Sequence, residues 1–89
     1  MERKTWEFPK NIEFSNVPDY LQQFEKENHT QEFVFNLNET ESVHSSFIGF
    51  LIHTKGVVEA RGGRIVVVVS PAIRRLFRIM NVLDFFMAD

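Results

Sequence analysis

The sequence predicts an α/β domain with a mostly parallel or mixed sheet and crossover helices. Three features carry this expectation. Strand-like and helix-like segments alternate along the whole chain, which favours parallel strands joined by helical crossovers. The run Arg64-Ile65-Val66-Val67-Val68-Val69 is β-branched and apolar without alternation, the pattern of an interior strand covered on both faces. That run is also flanked by matching punctuation, Gly62-Gly63 before it and Ser70-Pro71 after it. Glycine closes helices, and serine followed by proline opens them.

Thr5 to Phe8 reads as a short strand ended by Pro9, and Ile12 to Phe14 leads into a helix start. There Ser15 or Asn16 supplies a cap, Pro18 is tolerated in the first turn, and Asp19 meets the positive end of the helix dipole. Val17, Leu21 and Phe24 share one face with Tyr20 beside them, and the helix is expected to end near Asn28 or His29. Glu32 to Asn38 alternates Phe33, Phe35 and Leu37 with Val34 and Asn36, a period-two strand. The polar stretch Asn38 to Val43 reads as a loop.

A second helix starts at Ser45 or Ser46, one of which is expected to be its N-cap. Phe47, Phe50, Leu51, Val57 and Val58 form its apolar face, widened by Ile48 and Ile52, and it stops at Gly62-Gly63. After the valine-rich strand, Ile73, Leu76, Phe77 and Met80 give a third helix an apolar face, with Arg74, Arg75 and Arg78 outside. Asn81 is its expected C-cap, and Val82 to Phe86 trails back toward the core.

Composition narrows the function. The 89 residues suit one domain, taken as 1–89, with ten phenylalanines to place in a core or an interface. A net charge of −2 lacks the basic bias of a nucleic-acid binder. With no cysteine there is no disulfide, thiol or cysteine-based zinc chemistry. The N-terminus lacks a signal-peptide core and the longest apolar run is far too short to span a membrane, so a cytoplasmic location is expected. No nucleophile–base set, phosphate loop or paired acids appear, so no catalytic residue, cofactor or metal site is expected.

Within Phe33 to Phe86, Val43-His44-Ser45-Ser46-Phe47-Ile48-Gly49-Phe50-Leu51, the Gly62-Gly63 helix end, Ile65 to Val69 with Ser70-Pro71, and Met80-Asn81-Val82-Leu83 occur in order. This series resembles the STAS domain of bacterial anti-sigma-factor antagonists. The resemblance implies a non-enzymatic signalling module that regulates transcription by binding a protein, an anti-sigma-type serine kinase. It implies phosphorylation of Ser45, the serine that follows the family's aspartate position. Here that position holds His44, and a family glycine is replaced by Phe47. The chain also reads as shortened at both ends relative to the family. An alternative within the same fold is an accessory or scaffold subunit, in a transporter or signalling assembly, without a phosphoswitch.

The candidate partner-binding residues are His44, Ser45, Ser46, Phe47 and Phe50. For the two rings, either one lies in the core while the other anchors a partner beside Ser45, or both are core. Thinly covered apolar surface around Trp6, Phe85 and Phe86 is expected to promote self-association.

Overall fold

A computed structural model describes residues 3–87. Strand β1 (Arg3–Glu7), the short strand β2 (Asn11–Ile12) and a 3-10 turn (Phe14–Asn16) lead to helix α1 (Val17–Glu25). Strand β3 (Glu32–Leu37), the short strand β4 (Ser42–Val43) and helix α2 (Ser45–Ala60) follow. Strand β5 (Arg64–Val69), helix α3 (Pro71–Ile79) and helix α4 (Leu83–Met87) complete the order. The main sheet runs β1-β3-β5, and both of its pairings are parallel. Beside it, β2 and β4 form a small parallel sheet, with β4 inside the stretch Asn38 to Val43 that reads from sequence as a loop.

The strand register divides the side chains between two faces. Trp6, Phe35 and Val67 stand in one row. Because side chains alternate along a strand, Phe33, Leu37, Ile65 and Val69 share their face. This face holds the core. The opposite face carries no buried side chain among the described residues. Its rows are Arg3–Glu32–Arg64, Thr5–Val34–Val66 and Glu7–Asn36–Val68. Glu32 pairs with Arg3 at 3.3 Å and with Arg64 at 2.9 Å, and the Asn36 amide donates to Glu7 at 2.9 Å.

The interior strand is therefore β3, whose residues alternate between half-buried and buried. The expectation that Ile65 to Val69 is interior and covered on both faces does not hold, since among the described residues β5 lies at the edge of the sheet, with Val68 exposed. An unbroken β-branched run reports strong strand preference, but covering both faces needs elements that only the tertiary arrangement supplies.

Eight of the ten phenylalanines are buried; Phe14 and Phe85 remain exposed. Trp6 stacks on Phe35 at 5.1 Å, and Phe47 stacks on Phe50 at 5.6 Å, with Phe8 meeting Phe47 edge-on at 5.3 Å. Such offset and edge contacts add to the benefit of area burial. Trp6 and Phe86 belong to this buried set, so the expected thin cover holds only at Phe85, where the Lys55 ammonium lies 5.1 Å from the ring centroid. Burial, then the neighbouring Asp19 carboxylate, raises the Tyr20 phenol above its ordinary 10.0.

Local signals explain most boundaries. Gly62 has φ +85°, and the N–H of Gly63 returns to the Val58 carbonyl at 2.9 Å, closing α2 with a left-handed turn. The Ser70 hydroxyl accepts from the Ile73 N–H at 3.1 Å as the expected cap of α3. Asn81, at φ 61°, ends α3, and the Val82 N–H reaches the Phe77 carbonyl at 2.9 Å. Helix α1 stops at Glu25, earlier than its pattern suggests. The Arg61 guanidinium from the end of α2 donates to the Glu27 carbonyl (3.1 Å) and the Thr30 carbonyl (2.6 Å), holding the next residues as a turn.

Candidate functional site at the start of helix α2

The small sheet positions this site. Asn11 and Ile12 pair with Ser42 and Val43, and the Ser42 hydroxyl donates to the Asn11 side-chain oxygen at 2.7 Å. The Thr40 hydroxyl donates to the Pro9 carbonyl at 2.8 Å, and the Ser70 hydroxyl donates to the Thr40 carbonyl at 2.6 Å. These bonds tie the loop before α2 both to the N-terminal segment and to the cap of α3. The His44 N–H then donates to the Ile12 carbonyl at 2.8 Å, fixing where α2 begins.

His44 itself is the N-cap, in extended backbone conformation at φ −72°, ψ 147°. Its Nδ1 accepts from the Ser46 N–H at 3.1 Å and lies 2.8 Å from the Ser46 hydroxyl. An Nδ1 that accepts both donors carries its ring proton on Nε2. The expected serine cap is thus corrected. Ser45 is the first helical residue, and Ser46 donates to the cap instead of forming it. An imidazole one residue before the helix places its acceptor where the orphan N–H of the first turn points. The exposed Phe14 ring lies in an edge-to-face arrangement with the His44 ring, centroids 5.2 Å apart.

The loss of this cap is measurable. His44→Ala is expected to destabilise the protein by about 0.5–2 kcal/mol, the range for removing a capping acceptor. His44→Asp, with an acceptor at the same place and a charge favoured by the dipole, is expected to restore or exceed wild-type stability. Urea unfolding of both variants checks this, and equal losses in the two would count against the cap.

Ser45 is exposed. Gly49 and Ile52 follow on the same helical face; both are exposed, and space around Gly49 is open. Phe47 and Phe50 point the other way, at 0% and 4% exposure. The reading in which one of them anchors a partner is therefore corrected, since both are core. With the sheet on one side and α1 on the other, both rings fit inside. The exposed apolar groups near this helix start are Phe14, at 62% exposure and against His44, and Ile52, at 44% and two turns further along α2. Sequence reasoning placed Ile52 on the buried face and gave Phe14 no role. The signal for Phe14 was a large ring next to the polar pair Ser15-Asn16, outside any amphipathic pattern.

The serine–imidazole contact is a local cap between residues two apart. No group of three or more histidine, cysteine or carboxylate residues able to hold a metal occurs among the described residues. The first turn of α2 contains no acid, and the positive end of the helix dipole lies there. Arg75, from the outer face of α3, lines a shallow cleft with Glu39 and Glu41 on the loop before the site.

Among solved structures, that of the anti-sigma factor antagonist SpoIIAA in its unphosphorylated form matches with a TM-score of 0.84. The match covers 100% of this chain and 81% of that one, at 17% sequence identity. This chain has the STAS fold. No family model matches the sequence, and no curated protein matches it significantly. The STAS fold is kept here although most side chains differ from those of SpoIIAA. Within it, His44, Ser45 and Ser46 lie together at the start of α2, while Phe47 and Phe50 lie inside the domain. No helix among the described residues is long and apolar enough to cross a membrane.

Proposed function

We propose that this protein is a STAS-type interaction module that binds a protein partner, an anti-sigma-type serine kinase, and that Ser45 is the residue the kinase phosphorylates. The observation that carries the reading is the exposed Ser45 at the first position of α2, next in sequence to His44, against which the exposed Phe14 ring lies, on a SpoIIAA-like fold. The contact surface comprises Phe14, His44, Ser45 and the outward face of α2 through Ile52. Phe14 takes the anchoring part that its neighbours Phe47 and Phe50, being buried, do not play.

A phosphate on Ser45 adds about −1.5 to −2 charges at pH 7. This chain tolerates it, because the positive end of the helix dipole favours an anion there. A partner seated on the same surface has to desolvate it. Modification therefore weakens binding and leaves the fold intact.

The second reading, an accessory or scaffold subunit without a phosphoswitch, is favoured by one observation: an imidazole caps the helix where the family carries a carboxylate. One experiment separates the two. An anti-sigma-type kinase is titrated by calorimetry with wild type, Ser45→Asp and Phe14→Ala, and phosphate incorporation is located by mass spectrometry. Expected are modification at Ser45 and a loss of about 1–3 kcal/mol of binding for Ser45→Asp, as for an uncompensated polar group. Phe14→Ala is expected to lose at least about 1 kcal/mol of binding, with both melting temperatures near wild type. Binding with no modification and no effect of Ser45→Asp favours the scaffold reading; no binding at all sinks the kinase-partner reading.

A further inference from the structure

Helix α3 carries three arginines and no acid, in a chain whose net charge is −2. Its inward side is fixed: Ile73 and Phe77 are fully buried, and the Ser70 hydroxyl caps its start. Its outward side holds Arg74, Arg75, Arg78 and Ile79, all exposed. Residues four apart lie about 40° from each other around a helix. Arg74 with Arg78, and Arg75 with Ile79, therefore make two adjoining rows on one face. At 76% exposure, Ile79 is the most exposed of the large apolar side chains among the described residues.

Among the described residues none of the three guanidinium groups has an ion pair. Arg75 shares a shallow cleft with Glu39 and Glu41 without pairing to either. Like charges at i,i+4 and i,i+3 spacing destabilise a helix, so the Arg74–Arg78 and Arg75–Arg78 pairs work against the fold. An exposed isoleucine beside them gains it nothing either. We infer that this face of α3 docks an acidic segment of a partner protein, whose carboxylates take Arg74, Arg75 and Arg78 while an apolar side chain beside them covers Ile79. The inference stands apart from the kinase reading, since it uses no residue of the Ser45 surface.

Charge and side-chain type select this occupant. The planar guanidinium fork holds a carboxylate by two parallel bonds, which an ammonium does not, and all three cations here are arginine. Arginine is enriched at protein interfaces, where lysine is depleted. Three cations also fall short of the about four to eight that hold a protein to anionic lipid. Outside α3 the chain is net negative, so an extended polyanion is repelled beyond the helix, whereas a short acidic segment stays on it. Because α3 is already capped and packed, docking orders little of this chain.

The test is fluorescence anisotropy of the whole chain with a labelled alanine-based helical peptide that carries glutamates at i,i+4 spacing and one leucine beside them. Expected is salt-sensitive binding that the same peptide with glutamine for glutamate does not show. Arg74→Gln combined with Arg78→Gln should weaken it about tenfold or more, and Ile79→Ser about threefold or more. Arg74→Gln alone should raise the melting temperature by about 1–3 °C, because glutamine has a similar helix propensity and a like-charge pair is gone. No binding at low salt overturns the inference, as does binding that the arginine variants leave unchanged. Binding to phosphatidylcholine–phosphatidylserine vesicles with none to the peptide overturns it in favour of a membrane surface. A melting temperature lowered by Arg74→Gln also overturns it, since the arginine then serves the fold.

Discussion

Replacing Phe47 by alanine is expected to cost about 3–5 kcal/mol, the range for deleting a fully buried aromatic side chain. Its ring is 0% exposed, stacks on Phe50 at 5.6 Å, and meets Phe8 and Tyr20 at 5.3 and 6.1 Å. Its removal leaves a cavity where Phe8 just after β1, α1 and α2 converge, and rigid aromatic neighbours collapse poorly into such a space. Against the 5–15 kcal/mol that is about all a domain holds, the variant should be close to unfolding at physiological temperature. Urea denaturation followed by the fluorescence of Trp6, the only tryptophan, reads this directly. A midpoint within error of wild type would take Phe47 out of the core. The same measurement on Phe14→Ala is expected to show little change, because that ring is largely solvent-exposed. The pair of variants separates stability from recognition at two phenylalanines that flank one site.

Gly63→Ala is expected to lose at least about 3 kcal/mol, beyond the 1–3 kcal/mol of ordinary overpacking. A Cβ at this position would lie 2.1 Å from the Gln31 carbonyl oxygen and 2.8 Å from Val58 Cγ1. The obstacle is mostly backbone, and no rotamer change relieves it. The chain must separate where Arg64 N–H bonds to that same carbonyl, which starts the β3–β5 ladder. Gly62 is the informative comparison. It has open space around it but φ +85°, so Gly62→Ala pays only backbone strain, about 1–2 kcal/mol. Thermal unfolding of the two variants should rank Gly63→Ala as the more damaged. The reverse order would mean that the turn's conformation, not the close approach of the two segments, is what requires glycine here.

The sequence by itself determined the elements whose causes are local. The Phe33, Phe35, Leu37 alternation named β3, Ser70-Pro71 named the start of α3, Gly62-Gly63 the end of α2, and Asn81 the end of α3. Each is a matter of side-chain period or capping chemistry within a few residues. The ordered series of these signals also pointed to the STAS fold that the three-dimensional match supports. Only the tertiary structure decided which strand is interior, because Val66 and Val68 have the same local preference whether a helix, a strand or solvent lies beside them. It placed β2 against β4, since two residues from each side of α1 carry no periodicity to detect. It moved the cap of α2 from serine to His44, because the bond from the His44 N–H to the Ile12 carbonyl, not intrinsic capping preference, sets where the helix begins. It also put both Phe47 and Phe50 inside and left Phe14 outside. Helical spacing ranks faces of one helix, but how much of a face is covered depends on the sheet and on α1, which meet it from distant parts of the chain.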